Sequence, residues 1–282
     1  MTRTVAVGLV SPAIVFLPLW VAEAAGEFER RNLSIESTII GSTDGTTSAL
    51  VDGSIDVAFA TPDAALEDPA TTTVLVGLVD RPPLSMICRP ELTSFEHLRG
   101  KGIGTSSLSE GTVHLITAMM RAHDLELGRD YDLVLAGAHP QRWEALKNGT
   151  LDAALQLMPY DDIAIGQGFV SLGRASDYVP EFAFSSATVR TDWLKDEADL
   201  GSELRDALVS GERLIRTDPA AAARIAAERT HLDESLALRC VRRMIDDQVM
   251  PADLVHSDSA LAQSRIALRE ASARSDPEQT PR

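Results

Sequence analysis

Residues 4–10, TVAVGLV, are a β-branched apolar run and predict a short strand. The period then changes. In LPLWVAEAAGEFERRN (17–32), Leu17, Val21, Ala24, Ala25 and Phe28 fall on one helical face with charges opposite, which predicts a helix. LSIESTII (33–40) alternates as a strand does, SALVDGSIDVAFA runs from a short helix into a strand, and TTTVLVGLV (71–79) is a further strand. SMICRP (85–90) is followed by SFEHLRGKGIGTSS and by the helix EGTVHLITAMMRAHDL (110–125). YDLVLAG (131–137) and LDAALQL (151–157) predict two more strands, and from about residue 192 the pattern is mostly helical. Alternating strand and helix periods predict an α/β protein.

Two stretches repeat one another. Residues 49–63 read ALVDGSIDVAFATPD and residues 145–161 read ALKNGTLDAALQLMPYD. Each places Ala-Leu ahead of a glycine (Gly53, Gly149), then Ser or Thr, an aliphatic residue, Asp, and a strand that reaches a proline and an aspartate. A helix ending at a glycine able to take the left-handed conformation, with a strand starting within two residues, produces that spacing. One βαβ unit in each of two lobes built alike is the expectation. Ligands of open α/β sheets bind beyond the C-terminal strand ends. Two such lobes would form a cleft at Thr61-Pro62-Asp63 and at Met158-Pro159-Tyr160-Asp161.

The bulk numbers narrow the function. At 282 residues, 44% apolar and 24% charged, the chain can bury a core in one large or two smaller domains. A net charge of -16 argues against nucleic acid as a partner, because phosphate binding needs a basic face. Cys88 and Cys240 support neither a metal-site spacing nor a disulfide framework and are read as two buried thiols. No segment after the N-terminal stretch offers the length of apolar chain that spans a bilayer, so no membrane insertion is expected. The polar, proline-bearing end ASARSDPEQTPR (271–282) reads as a disordered tail.

AVGLVSPAIVFLPLWVAEAAGEFERRNLSIE, then ALVDGSIDVAFATPDAAL, then SFEHLRGKGIGTSSLSEGT resembles periplasmic substrate-binding proteins of the sulfonate, nitrate and thiamine-precursor type. The likeness runs over residues 4 to 250 and lies in the order and spacing of the motifs. It implies the type II periplasmic binding protein fold, two α/β lobes joined by a two-segment hinge. Residues 1–87 would start lobe 1, 88–183 form lobe 2 and 184–270 return to lobe 1, with crossovers near Ile87–Pro90 and Pro180–Ser186. It implies a protein that closes two lobes on a small organic ligand, acidic or aromatic, for an ABC permease. The same family holds cytosolic enzymes, so a desulfinase, decarboxylase, isomerase or pyrimidine-biosynthetic protein for a small aromatic acid is the alternative. Catalysis has the weaker support of the two. A ligand-sensing regulator is a third use of the fold, disfavoured because no DNA-binding segment is evident.

The N-terminal stretch reads two ways. Met1-Thr2-Arg3, an apolar run and Ala22-Glu23-Ala24-Ala25 have the outline of a secretory signal. Pro12, Pro18 and Glu23 interrupt it, and in the family the equivalent strand is central to the first lobe. Residues 4–28 are therefore read as mature fold. A native start at Met1 would then mean a cytoplasmic protein, and a trimmed mature form a periplasmic one.

Candidate ligand residues follow from strand ends. GTSSLSEGTVHL (104–115) brings hydroxyls and the unpaired N–H groups of a helix start together, marking Ser106, Ser107, Gly111 and Thr112 for a carboxylate, sulfonate or phosphate. IIGSTDGTTSAL (39–50) repeats that arrangement; Asp44 is expected to cap the helix, leaving Ser42 and Thr43 to the ligand. AGAHPQRWEAL (136–146) puts His139 and Arg142 after a strand, with Arg142 the counter-ion for an acid and a solvated arginine the plain alternative. Thr61, Pro159 and Tyr160 end the repeated strands, Tyr160 and Phe182 or Phe184 are candidates for stacking on a ring, and the resemblance adds Ser11 and Pro12. No cofactor and no metal are expected: the chain has no H-E-x-x-H, P-loop or G-x-G-x-x-G pattern. No catalytic residue stands out. Cys88–His97 and Ser11–His139 are the pairings left open.

Overall fold

A computed structural model describes residues 2–106, 108 and 111–275, with side chains omitted at 252, 274 and 275. Strand β1 (Arg3–Leu9) leads through a 3-10 turn (Ile14–Phe16) into helix α1 (Leu17–Ala24). Next come β2 (Leu33–Ile39), α2 (Thr43–Val51), β3 (Val57–Ala60), α3 (Asp63–Glu67) and β4 (Thr72–Val79). They are followed by β5 (Leu84–Cys88), β6 (Lys101–Thr105), α4 (Gly111–Arg121), β7 (Tyr131–Leu135) and α5 (His139–Lys147). The middle of the chain closes with β8 (Ala153–Leu157), α6 (Tyr160–Gly166) and β9 (Val170–Arg174). The rest is β10 (Ser185–Arg190), α7 (Thr191–Asp196), α8 (Ala198–Thr217), α9 (Pro219–Thr230), α10 (Glu234–Asp246) and α11 (Asp258–Ser275).

These elements make two compact units. One takes the chain up to Arg81 together with Phe182–Leu261; the other takes Pro82–Glu181 and the chain from Ala262. The chain thus passes between units three times, at 81/82, 181/182 and 261/262, the last inside α11. The first passage precedes Ile87–Pro90, because Leu84–Cys88 is already a strand of the second sheet. α11 also carries regular helix through Ala271–Ser275, where a disordered tail was expected.

The N-terminal stretch is part of the first unit. Val5, Val7 and Leu9 of β1 and Leu17, Leu19 and Trp20 of α1 are buried. α1 is shorter than its sequence pattern, since the chain turns at Gly26, whose φ is +70°, and Phe28 returns to the core from beyond the helix. Against α1 packs α8: a β-carbon on Gly211 would stand 2.2 Å from the Pro18 carbonyl oxygen, so only glycine allows that approach.

The sheets have the same plan. The first runs β2-β1-β3-β10-β4, with β1 parallel to β2 and β3 and with β10 antiparallel to both its neighbours. The second runs β7-β6-β8-β5-β9, with β6 parallel to β7 and β8 and with β5 antiparallel to both its neighbours. The sequence repeat has a physical basis here. The β1–β3 pairing begins at Val7↔Val57, and one residue earlier the Ala6 N–H donates to the Asp56 carboxylate at 2.9 Å. The β6–β8 pairing begins at Ile103↔Ala153, and the Gly102 N–H donates to Asp152 at 3.2 Å. The repeated aspartate accepts from the middle strand of the parallel triplet where the next strand has not yet started. Gly53 and Gly149, at φ +82° and +71°, make the turns that set it there.

A buried carboxylate, Asp80, holds together the segments that enter and leave the first unit. The Asp80 carbonyl accepts from the Phe182 N–H at 2.6 Å and its Oδ2 from the Ser257 N–H at 2.7 Å. Its Oδ1 meets His256 Nδ1, and His256 Nε2 lies 2.7 Å from Ser186 Oγ. The imidazole lies over Gly77, where a β-carbon would fall 2.5 Å from the ring. Asp80→Ala is expected to cost about 2–4 kcal/mol in chemical denaturation, because it strands His256 and the Ser257 N–H in a buried place. Asp80→Asn, which keeps an acceptor, should recover part of that. A loss of only a few tenths would show that the contacts hold nothing.

Candidate functional site

In the first unit, parallel pairing brings the C-terminal ends of β2, β1 and β3 side by side along one sheet edge. Ser11 and Pro12 follow β1, Ser42 and Thr43 follow β2, and Thr61 follows β3, so five candidates share that edge. Two of their hydroxyls already have work. Ser42, not Asp44, caps α2: its Oγ accepts from the Gly45 N–H at 3.1 Å, though its proton can still donate. Thr61 Oγ1 donates to Asp63 Oδ2 at 3.0 Å. Ser11 turns the loop, its carbonyl accepting from the Ala13 N–H at 2.8 Å.

The second unit repeats the arrangement at the ends of β7, β6 and β8. Ser106 follows β6, and the buried Gly111 and Thr112 open α4; Ser107, with Ser109 and Glu110, lies outside the described residues. Pro159 and Tyr160 follow β8. Tyr160 is half-buried against the Trp143–Leu146–Ile87 cluster, and burial first, Glu144 second, raise its hydroxyl pKa.

His139 opens α5 and Arg142 stands one turn along. Arg142 is only 1% exposed, so the solvated reading does not hold. Its Nη1 donates to the Leu155 carbonyl at 3.2 Å, and its Nη2 lies 3.1 Å from His139 Nδ1. That Nδ1 accepts the Leu157 N–H at 3.1 Å, which assigns the ring proton to Nε2. Burial first, and the Arg142 charge second, hold the His139 pKa well below its usual 6.5, while the Gln156 amide oxygen, which would accept from a protonated Nδ1, works the other way. The ring is neutral at neutral pH beside a guanidinium that keeps its charge. Gln156, fully buried on β8 and 3.2 Å from Nδ1, is a site neighbour the strand pattern alone had not marked. Its signal is a lone amide in an otherwise apolar buried strand.

The nucleophile candidates fare differently. Cys88 is buried in β5, and burial followed by the Asp152 charge pushes its thiol up to about 12, so it is not a thiolate at neutral pH. His97 Nδ1 accepts from the Thr93 N–H at 3.2 Å. Ser11 belongs to the first unit and His139 to the second. Ser186, His256 and Asp80 have the connectivity of a hydrolase triad, yet Ser186 is fully buried within the ladder of β10. Phe182 is core, and Phe184 is half-buried. Among the described residues, no cluster of His, Cys, Asp and Glu could hold a metal, and no helix is long and apolar enough to cross a membrane.

No protein family's sequence model and no curated protein sequence matches the chain. Solved structures do. A protein of Bordetella bronchiseptica RB50 superposes with TM-score 0.78 at 18% identity, over 98% of this chain and 90% of that one. The periplasmic aliphatic sulphonate binding protein SsuA from Escherichia coli gives 0.76 at 16%, over 98% and 94%. The periplasmic nitrate-binding protein NrtA from Synechocystis PCC 6803 gives 0.72 at 14%, over 99% and 91%. At such identities the likeness establishes architecture, and the chain carries the periplasmic binding protein fold that the sulfonate- and nitrate-binding proteins share.

Proposed function

We propose that this chain is a solute-binding protein that closes its two units on a small organic oxyanion, a sulfonate or carboxylate, and presents it to an ABC permease outside the cytoplasmic membrane. Arg142 carries the reading: a charged guanidinium, 1% exposed, is held at a sheet's C-terminal edge by the Leu155 carbonyl and a neutral histidine. In a low-dielectric setting such a cation discriminates strongly for an anion. Two of the structural neighbours are named for a sulphonate and for nitrate, both oxyanions. The donors of α4 and the hydroxyls of both units complete the set. A ligand that contacts both units binds the closed arrangement better than the open one and shifts the population by that difference.

Titration calorimetry with ethanesulfonate, benzoate and nitrate tests this. At least one should bind, and Arg142→Ala should weaken it by tenfold or more, about 1.4 kcal/mol. Arg142→Lys, which keeps the charge and loses the fork, should fall between. Wild-type protein that takes up none of the three would sink the oxyanion reading.

His139 gives a pH signature. The unfolded chain binds a proton near pH 6.5 and the folded one does not, so stability is complete above that value and is lost as pH falls. Urea midpoints at pH 7.5 and 5.5 should show a loss of up to about 1.4 kcal/mol per pH unit for this one group. His139→Gln should remove that slope, and Arg142→Ala, which takes away the second cause, should flatten it. Equal slopes in all three proteins would contradict a neutral His139.

A further inference from the structure

We infer that the Ser185 hydroxyl is a ligand-binding donor of the first unit, an addition that rests on the solute-binding reading. β10 runs antiparallel to β3 with Ser186 opposite Ala60, so Ser185 lies beside Thr61, at the edge where Ser11 and Ser42 also sit. Ser185 is 3% exposed, and its Oγ has no hydrogen-bond partner among the described residues. Buried hydroxyls are nearly always paired, and one left alone costs roughly 1–3 kcal/mol. The adjacent serine shows the contrast: Ser186 Oγ is satisfied by His256. Between them the pairing with β4 shifts register, Ser185 opposite Val79 and Ser186 opposite Gly77. The extra residue, Leu78, is on β4, so β10 keeps its own alternation, and such bulges are over-represented at sheet edges and next to active sites. Successive strand residues also point to opposite faces, so Ser185 turns from the face that His256 covers. The group that satisfies it is an oxygen acceptor brought in from solution, the same oxyanion class that Arg142 selects.

Three substitutions separate this from a structural role. Ser185→Ala should leave the melting temperature of ligand-free protein unchanged or higher, because it removes an unpaired buried hydroxyl, while weakening binding of ethanesulfonate, benzoate or nitrate by about fivefold, one neutral hydrogen bond. Ser186→Ala should lower the melting temperature, since it breaks the bond to His256. Thr72→Val is the control: Thr72 Oγ1 is likewise buried and without a partner among the described residues, but stands at the start of β4, paired with Arg190 at the far end of the sheet. It should raise or keep the melting temperature and leave binding unchanged. Ser185→Ala melting as low as Ser186→Ala would overturn the inference, and so would unchanged binding. If wild-type protein takes up none of the probes, the oxyanion reading falls by itself, and the melting comparison still decides whether Ser185 has a partner inside the protein.

Discussion

A backbone N–H in the middle strand of each parallel triplet needs an acceptor, and a side-chain carboxylate provides it. Asp56 and Asp152 meet Ala6 and Gly102 one step before the parallel ladders β1–β3 and β6–β8 begin. Left without a partner, a buried N–H costs as much as a broken hydrogen bond or more. Each aspartate therefore specifies where its ladder starts. That matters because a slip of one residue would turn the whole strand inside out. With the register set, the strands of each parallel triplet end together, and their loops emerge side by side. The hydroxyl-rich edges are a consequence of that alignment.

β1 depends on the same constraint. It lies between two strands, and such parallel strands are buried on both faces and read as continuous apolar runs. TVAVGLV followed by the buried 3-10 turn and α1 therefore has the hydrophobicity of an export signal for a different reason, namely burial of Val5, Val7, Leu9, Leu17 and Trp20. Hydrophobic length alone does not separate the two. The prolines at 12 and 18 do: Pro18 sits in the first turn of α1, where a missing N–H is tolerated, and would interrupt a continuous apolar helix.

Much of the fold was legible because local signals agreed. Glycine caps, a repeated aspartate and β-branched runs located β1, β2, β3, β4, β7 and β8 within a residue or two. β10 was not legible. SSATVR is half hydroxyl residues, and its burial is compensated by partners that sequence proximity does not reveal: His256 for Ser186 and the Ala58 carbonyl for Thr188. The site divides in the same way. Arg142 and His139 were placed by counting from a strand end, while the burial of Arg142 depends on how α5 folds back on β8. Whether Ser42 or Asp44 caps α2 turned on backbone angles; Ser42, at φ -150° and ψ 154°, has the extended geometry of an N-cap and Asp44 is already inside the helix. Gln156 and Ser185 gain meaning only from cross-strand register.

An acidic chain with an anion as its ligand is electrostatically consistent. The net charge of -16 is spread over a surface where, at physiological salt, interactions fade within about 8 Å. Arg142, in contrast, is out of water and next to the edge where a ligand would sit, so its field is weakly screened. A protonated His139 would put a second cation beside it and would no longer accept the Leu157 N–H that fixes the ring. Neutral, the imidazole holds the guanidinium without competing for the anion. On the proposed reading the sign of the ligand would be set by one desolvated guanidinium and its neutral neighbour, while total charge bears on solubility and the rate of approach.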